Sequence, residues 1–470
     1  MKTPKAPMLL KPVELQIDPN NPFANDAFER KEVVDSFVRI VTDLKGPFVI
    51  AVDSPWGTGK TIFLKMLQAS LENNGHPCMY FNAWETDFAE DPLIAFVGEL
   101  DSLLNGFCPE EGERQETIKS VKRMAGAMAK KVVPATIRIA TMGAIDIAPE
   151  IERLVAEATG ALGADAVENY LKDKKVMDDF HEKLNLALST AKARGKKLPV
   201  VIFVDELDRC RPLYAIELLE RIKHLFNVES AIFVVALDKA QLSISLGAVY
   251  GAGFNSTEYL RRFFDLELRL TPVSGDKFCE SLINRMALEE FFASRPAQVA
   301  HGDAEGLKNT FRDLSRLFGL TPRAQERCMV LLALGMTATP INNHFYPVQT
   351  VIMAVLRTGA EEIYNKVSRE AGSVGEIIEH LNKLRMQRGG IEERYWAILQ
   401  GYILSMRDRR DPHAEQILKK HQGARQSVIA DGGYDENLDL IVTIANDFEN
   451  RGASLKAIIK RIDIAAQFQN

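Results

Sequence analysis

The sequence predicts an α/β fold: a parallel sheet with helices wound on both faces. Two observations predict it. The first is three unbroken apolar runs, Phe48-Val-Ile-Ala-Val52, Val200-Val-Ile-Phe-Val204 and Ala231-Ile-Phe-Val-Val-Ala-Leu237. Strands covered on both faces read this way, whereas half-exposed strands alternate. The second is that helical spacing follows two of the runs. Ile62-Phe-Leu-Lys-Met-Leu67 comes after the first. Between the second and third, Ile216, Leu218, Leu219, Ile222, Leu225 and Phe226 share one helical face. Strand, helix, strand in that order gives parallel neighbours joined by crossovers.

The turn after the first strand is Ser54-Pro-Trp-Gly-Thr-Gly-Lys-Thr61. A strand, a Gly-Lys-Thr turn and a helix make a phosphate-binding loop. Gly57 and Gly59 lack side chains, so backbone N–H groups can wrap a triphosphate. The helix amino terminus that follows favours anions. Lys60 is placed for the β- and γ-phosphates, and the Thr61 hydroxyl suits a magnesium ion. Pro55, Trp56, Thr58 and Ile62 complete the candidate nucleotide-binding set. The usual leading glycine is replaced by Ser54, which tolerates fewer backbone conformations.

A phosphate loop needs an acidic strand end, and Asp205-Glu206 closes the second run. Asp205 is the candidate magnesium aspartate, and Glu206 the candidate base that polarises the attacking water. The third run ends at Asp238, which suits either a γ-phosphate sensor or the N-cap of a helix beginning near Gln241.

These residues resemble the KAP family of P-loop NTPases. Pro55-Trp-Gly-Thr-Gly-Lys-Thr61 is similar to that family's Trp-Gly-Ser-Gly-Lys-Thr loop. Tyr80-Phe-Asn-Ala-Trp-Glu85 resembles its second-strand signature, and Asp205-Glu-Leu-Asp-Arg-Cys210 its extended Walker B. Tyr259-Leu-Arg-Arg-Phe-Phe264, Leu320-Thr-Pro-Arg323 and Asp18-Pro-Asn-Asn-Pro22 follow the family in order. The resemblance implies a P-loop NTPase parallel sheet of the additional-strand type, with Walker A and B motifs. It also implies a helical insert, a helical lid and a C-terminal helical domain. The expected divisions are a core first half at 1–118, a basic helical insert at 119–175, a core second half at 176–275, a lid at 276–340 and a helical domain at 341–470. Arg261 and Arg262 are arginine-finger candidates by the same resemblance. Arg209 is a structural pair or a residue acting in trans, and Arg323 a lid arginine.

Composition narrows the class. The 470 residues carry a net charge of −6, so no global basic field advertises nucleic acid. Five cysteines without metal spacing fit a reducing cytoplasm. His344, His380, His413 and His421 are too scattered for a metal site. Between the Walker motifs, uncharged runs such as Val132–Ile137 are far too short to span a membrane. That region is basic instead: from Lys119 to Ile145 it holds Lys119, Lys122, Arg123, Lys130, Lys131 and Arg138 and no acidic residue. It suits a packed helix with a solvated face, or contact with a protein partner or oligomer interface, with nucleic acid, or with a membrane surface, for which aromatic anchors are missing. Helical segments are expected near Val348–Val367, Val374–Gln387, Ile391–Met406 and Leu438–Asn446, without any second catalytic constellation.

The expected activity is ATP hydrolysis with Mg2+ by a homo-oligomer that controls a separately encoded effector, in bacterial anti-phage defence. The alternatives are a nucleotide-dependent assembly scaffold with little turnover, to which Ser54 gives weight, and a nucleic-acid-sensing ATPase.

Overall fold

The structure is a computed structural model. It describes residues 16–24, 26–107, 119–124, 161–193, 195–251, 253–270, 275–286, 288, 292, 304–339, 345–369, 372–408, 410–450 and 455–467. The chain divides into two compact units. One comprises Ile17–Asp26 and Arg30–Thr271 and contains the sheet. The other comprises Met1–Gln16, Ala27–Glu29 and Pro272–Asn470, and every element described in it is helical.

The sheet has five parallel strands: β1 (Phe48–Asp53), β2 (Cys78–Asn82), β3 (Val200–Asp205), β4 (Ala231–Leu237) and β5 (Leu266–Arg269). Their order is β2-β3-β4-β1-β5. β4 therefore lies between the strand carrying the phosphate loop and the strand carrying the acidic end. This is the additional-strand arrangement.

Alternate residues point to opposite faces of a strand, and in the three central strands, β1, β3 and β4, both faces are buried. Val49, Ala51, Ile202, Val204, Phe233 and Val235 face one core. Ile50, Val52, Val201, Phe203, Ile232 and Val234 face the other. That is why the sequence shows continuous apolar runs and no alternation. The first core is closed by α3 (Pro92–Phe107), α4 (Ala161–Ala193), α5 (Pro212–His224) and α6 (Lys239–Tyr250), around Phe81, Phe96, Phe180, Phe226 and Phe233. The second is closed by α1 (Lys31–Asp43) and α2 (Lys60–Asn73), where Phe37 meets Phe63 edge-on. A short α7 (Ser256–Arg261) leads into β5.

The basic stretch from Lys119 to Ile145 lies outside the described residues beyond 124. Its helical start is packed: Val121 is buried in the first core and Lys122 pairs with Asp101 at 2.6 Å.

The second unit contains α8 (Gly275–Arg285), α9 (Ala304–Phe318), α10 (Pro322–Thr337), α11 (Pro347–Gly359), α12 (Glu361–Val367), α13 (Gly375–Arg388), α14 (Glu393–Ser405), α15 (Pro412–Ala430), α16 (Glu436–Asn450) and α17 (Leu455–Gln467). Three features differ from the sequence reading. The segment expected as one helix over Val348–Val367 breaks at Ala360, whose extended φ of −152° ends α11. α15 was not expected because its buried residues are few, Ala414 and Leu418. α17 was also not expected, although Leu455, Ile458, Ile459 and Ile462 carry a helical period that exposes the omission. Among the described residues no helix is long and apolar enough to cross a membrane.

Candidate phosphate-binding site at the carboxyl end of the sheet

β1 ends at Asp53, and the chain turns through Ser54–Gly59 into α2. The turn uses two left-handed residues, Gly57 at φ 78° and Gly59 at φ 89°. A Cβ at either would be strained, so glycine is required by the backbone itself. Ser54 needs no such freedom, because the only left-handed non-glycine residues among those described are Glu29 and Glu206. The missing leading glycine therefore does not distort the loop. Its cost is local: the Ser54 hydroxyl is buried and has no hydrogen-bond partner among the described residues.

Lys60 opens α2, and its ammonium is buried. It donates to Ser54 O at 2.6 Å and lies 3.9 Å from Asp208 Oδ2. Asp208 also accepts from the Trp56 indole N–H. The side chains of Trp56 and Lys60 thus join the phosphate loop to the turn after β3. Thr61 follows on the first turn of α2, and Thr58 Oγ1 donates to Pro55 O at 2.8 Å.

β3 places Asp205 at its end, 1% exposed. Asp205 Oδ2 accepts from Tyr80 Oη at 2.5 Å, and Oδ1 accepts from the Glu206 N–H at 2.8 Å. Each oxygen keeps further lone-pair capacity, so the carboxylate can also accept a metal-bound water. Asp205 and Thr61 are the residues present that fit an octahedral magnesium ion, which takes few protein ligands and the rest from phosphate and water.

Glu206 is held in the left-handed region at φ 59°. That geometry, unusual for a side chain this long, turns its carboxylate away from the strand direction. Its oxygens meet Arg209 Nη1 at 2.6 Å and Asn82 Nδ2 at 3.4 Å. Burial raises the Glu206 pKa above its ordinary value. The nearby Arg209 charge opposes this, Asp205 and Asp208 reinforce it, and the Asn82 bond opposes it. A carboxylate shifted toward neutrality is matched to a general-base role. The Arg209 guanidinium also lies over the Trp84 ring, 5.4 Å from its centroid. Arg209 is thus a pairing partner of Glu206 within the chain.

The remaining expected residues are dispersed. Asp238 caps α6 by accepting from the Gln241 N–H at 3.1 Å, which is the helix-capping role. Arg261 ends α7 exposed and pairs with Glu258 at 3.1 Å. Arg262 follows it, also exposed. Asp265, just beyond, accepts from the Val49 N–H and donates its own N–H to Val49 O, both at 2.8 Å. Val49 is the second residue of β1, and the phosphate loop follows the strand's end, about 15 Å further along. Arg261 and Arg262 therefore sit at the opposite end of the sheet from their own loop. Arg323 lies exposed on the first turn of α10, in the other unit. His413 pairs with Glu379 at 3.1 Å and His380 stacks on Phe318; His344 lies outside the described residues.

Sequence reasoning missed one residue of the loop's surroundings. Arg30, 2% exposed, donates from Nη2 to Thr58 O at 3.4 Å, and its Nε has no partner among the described residues. Burial lowers its pKa. Only the motif near Asp18 hinted that this part of the chain approaches the loop. The roles of Tyr80 and Asn82 were also unassigned, although both lie in the quoted second-strand signature.

A parallel additional-strand sheet with this loop and this acidic strand end defines a P-loop NTPase. More narrowly, the KAP family P-loop domain matches residues 30–410, and the chain belongs to that family. No curated protein matches it. Among solved structures, the Aeropyrum pernix ORC2 protein in its ADPNP–ADP complexes is 11% identical, with 90% of this chain and 94% of that one covered at a TM-score of 0.34. A DNA replication initiation factor covers 93% and 98% at 11% identity and a TM-score of 0.27. Likeness that weak carries no functional argument.

Proposed function

We propose that the chain binds and hydrolyses ATP at this loop. The observation that carries the reading is the pairing of Glu206, half-buried and raised in pKa, with the Asp205 strand end beside the Lys60 loop. Lys60 and the N–H groups of Trp56 to Ile62 would bind the phosphates, with Pro55 shaping the turn. Thr61 and Asp205 would hold Mg2+, directly and through water. That ion, when bound, neutralises phosphate charge. Glu206 would take a proton from the attacking water, helped by Asn82 and Arg209, which aim its two oxygens. The choice of ATP over GTP is carried by the family resemblance; the sequence shows no guanine-reading Asn-Lys-x-Asp pattern.

Arg261 and Arg262 have no route to their own loop, so a finger role for them requires a neighbouring subunit. An arginine supplied in trans raises turnover about 10³- to 10⁵-fold in known systems. On this reading the protein is a homo-oligomer, Arg323 reads phosphate from the helical unit, and the cycle drives a separately encoded effector in anti-phage defence. The last step rests on family resemblance alone.

The test compares wild type, Lys60→Ala and Glu206→Gln for hydrolysis and for mass with and without ATP. Glu206→Gln is expected to lose about 10²- to 10⁴-fold in rate and to keep nucleotide-bound assembly. Equal, negligible turnover in all three proteins would replace hydrolysis with the scaffold reading. Stimulation by DNA or RNA would favour the nucleic-acid-sensing reading.

A further inference from the structure

A cavity of about 650 Å³ lies within the helical unit, well away in sequence from every residue of the phosphate site. It opens to solvent and is lined by the ends of α12, α14 and α17 and by the segment leading into α13. Its volume falls in the range of small-molecule sites, about 300–1,000 Å³.

Its charges are unequally satisfied. Asp463 accepts from Arg357 and from Tyr364 Oη, both at 2.7 Å. Asp411 accepts from Ser373 Oγ, the Val374 N–H and the Ala414 N–H, neutral donors that hold the carboxylate and leave its charge in place. Arg407 is engaged by Glu415 at 2.9 Å and by the Leu404 carbonyl. That leaves Arg369, Lys456 and Lys460 lining the cavity with no partner among the described residues, against two carboxylates that no cation pairs with there, Asp411 and Asp408, whose Oδ1 accepts from the Arg410 N–H at 2.9 Å. Ser368 Oγ, on the same wall, is buried and also lacks a partner among the described residues. Lys456 stands on the first turn of α17, where the helix dipole adds positive potential. The other wall is apolar, formed by Val374, Met406 and Ile459.

We infer that this cavity binds a small phosphorylated molecule. Lys456, Lys460 and Arg369 would hold its phosphate, Ser368 would donate to it, and the apolar wall would seat its body. Three cations lining one open cavity repel one another, and an anion of two or more charges removes that repulsion.

The experiment is equilibrium dialysis of the full chain with labelled inorganic pyrophosphate at physiological salt. It uses wild type, Lys60→Ala, and Lys456→Gln/Lys460→Gln in both backgrounds. The two lysines are exposed, so their exchange leaves packing intact, and thermal melting checks that it has. The Lys60→Ala protein is expected to keep one equivalent of bound pyrophosphate. Adding the two glutamines is expected to weaken that binding by at least about tenfold. No binding to Lys60→Ala, or binding unchanged by the glutamines, would overturn the assignment. So would tight binding of a hexaglutamate peptide to the lysine-bearing cavity without any for pyrophosphate, which would make the occupant an acidic protein segment. Loss of ATP hydrolysis has no bearing on any of these readings.

Discussion

Arg209 is the residue on which the chemistry of Glu206 turns. Its guanidinium favours the ionised carboxylate, while burial and the neighbouring Asp205 and Asp208 favour the protonated form. On the proposed reading Glu206 is the base and must be ionised, so its function is lost as pH falls through its pKa, which lies above the ordinary 4.5. Removing Arg209 raises that pKa further. Arg209→Ala is therefore expected to move the acid limb of the kcat/KM profile to higher pH, and an unmoved limb would mean that Glu206 is not the titrating base. Ser54 allows a second prediction at this scale. A buried hydroxyl without a partner costs about 1–3 kcal/mol. Ser54→Ala should raise the thermal midpoint of the nucleotide-free protein, since the loop asks nothing of the residue's φ. Gly57→Ala asks a great deal: at φ 78° a Cβ costs about 1–2 kcal/mol, and the nucleotide-induced rise in melting temperature is expected to shrink with it.

Helices are positioned by what they can approach. In the helical unit α14 and α16 meet at Gly401, where an added Cβ would lie 2.8 Å from Ile444 Cβ and 3.2 Å from Ile441 O. Glycine there is a packing requirement, with no left-handed φ involved. Gly401→Ala is expected to destabilise the unit by about 1–3 kcal/mol in urea. Pairing it with Ile444→Gly, which removes the contacting Cβ itself, should give back part of that loss, a coupling that a double-mutant cycle reads directly. In the sheet unit the corresponding element is α3, whose Phe96 ring touches Phe81, Phe226 and Phe233. One side chain there ties a helix to two strands and to the residues after α5.

At the scale of the whole molecule, Arg261 and Arg262 and the phosphate loop occupy opposite ends of one sheet. A site completed by these arginines is completed only between copies. The specific hydrolysis rate is then expected to rise with protein concentration through the assembly range and to become flat and low in Arg262→Ala. A specific rate independent of concentration in wild type would remove the trans role.

The sequence made legible what is local. The strand runs, the Gly-Lys-Thr turn and the Asp205-Glu206 end could be read because a strand's burial and a loop's φ angles are set by the residues in them. Even the concern over Ser54 was a local question, answered by its backbone. The helices were legible where they bury a broad face, and α15 was not, because two buried residues leave little period to read. What the tertiary structure alone decided is long-range. Arg30 reaches Thr58 across 28 positions, Tyr80 reaches Asp205 across 125, and Trp56 reaches Asp208 across 152. The cationic cavity joins residues from 367 to 464 whose separate contexts look like ordinary solvated surface. Burial and charge imbalance are properties of assembled walls. No segment carries them by itself, so they emerge only when the chain has folded.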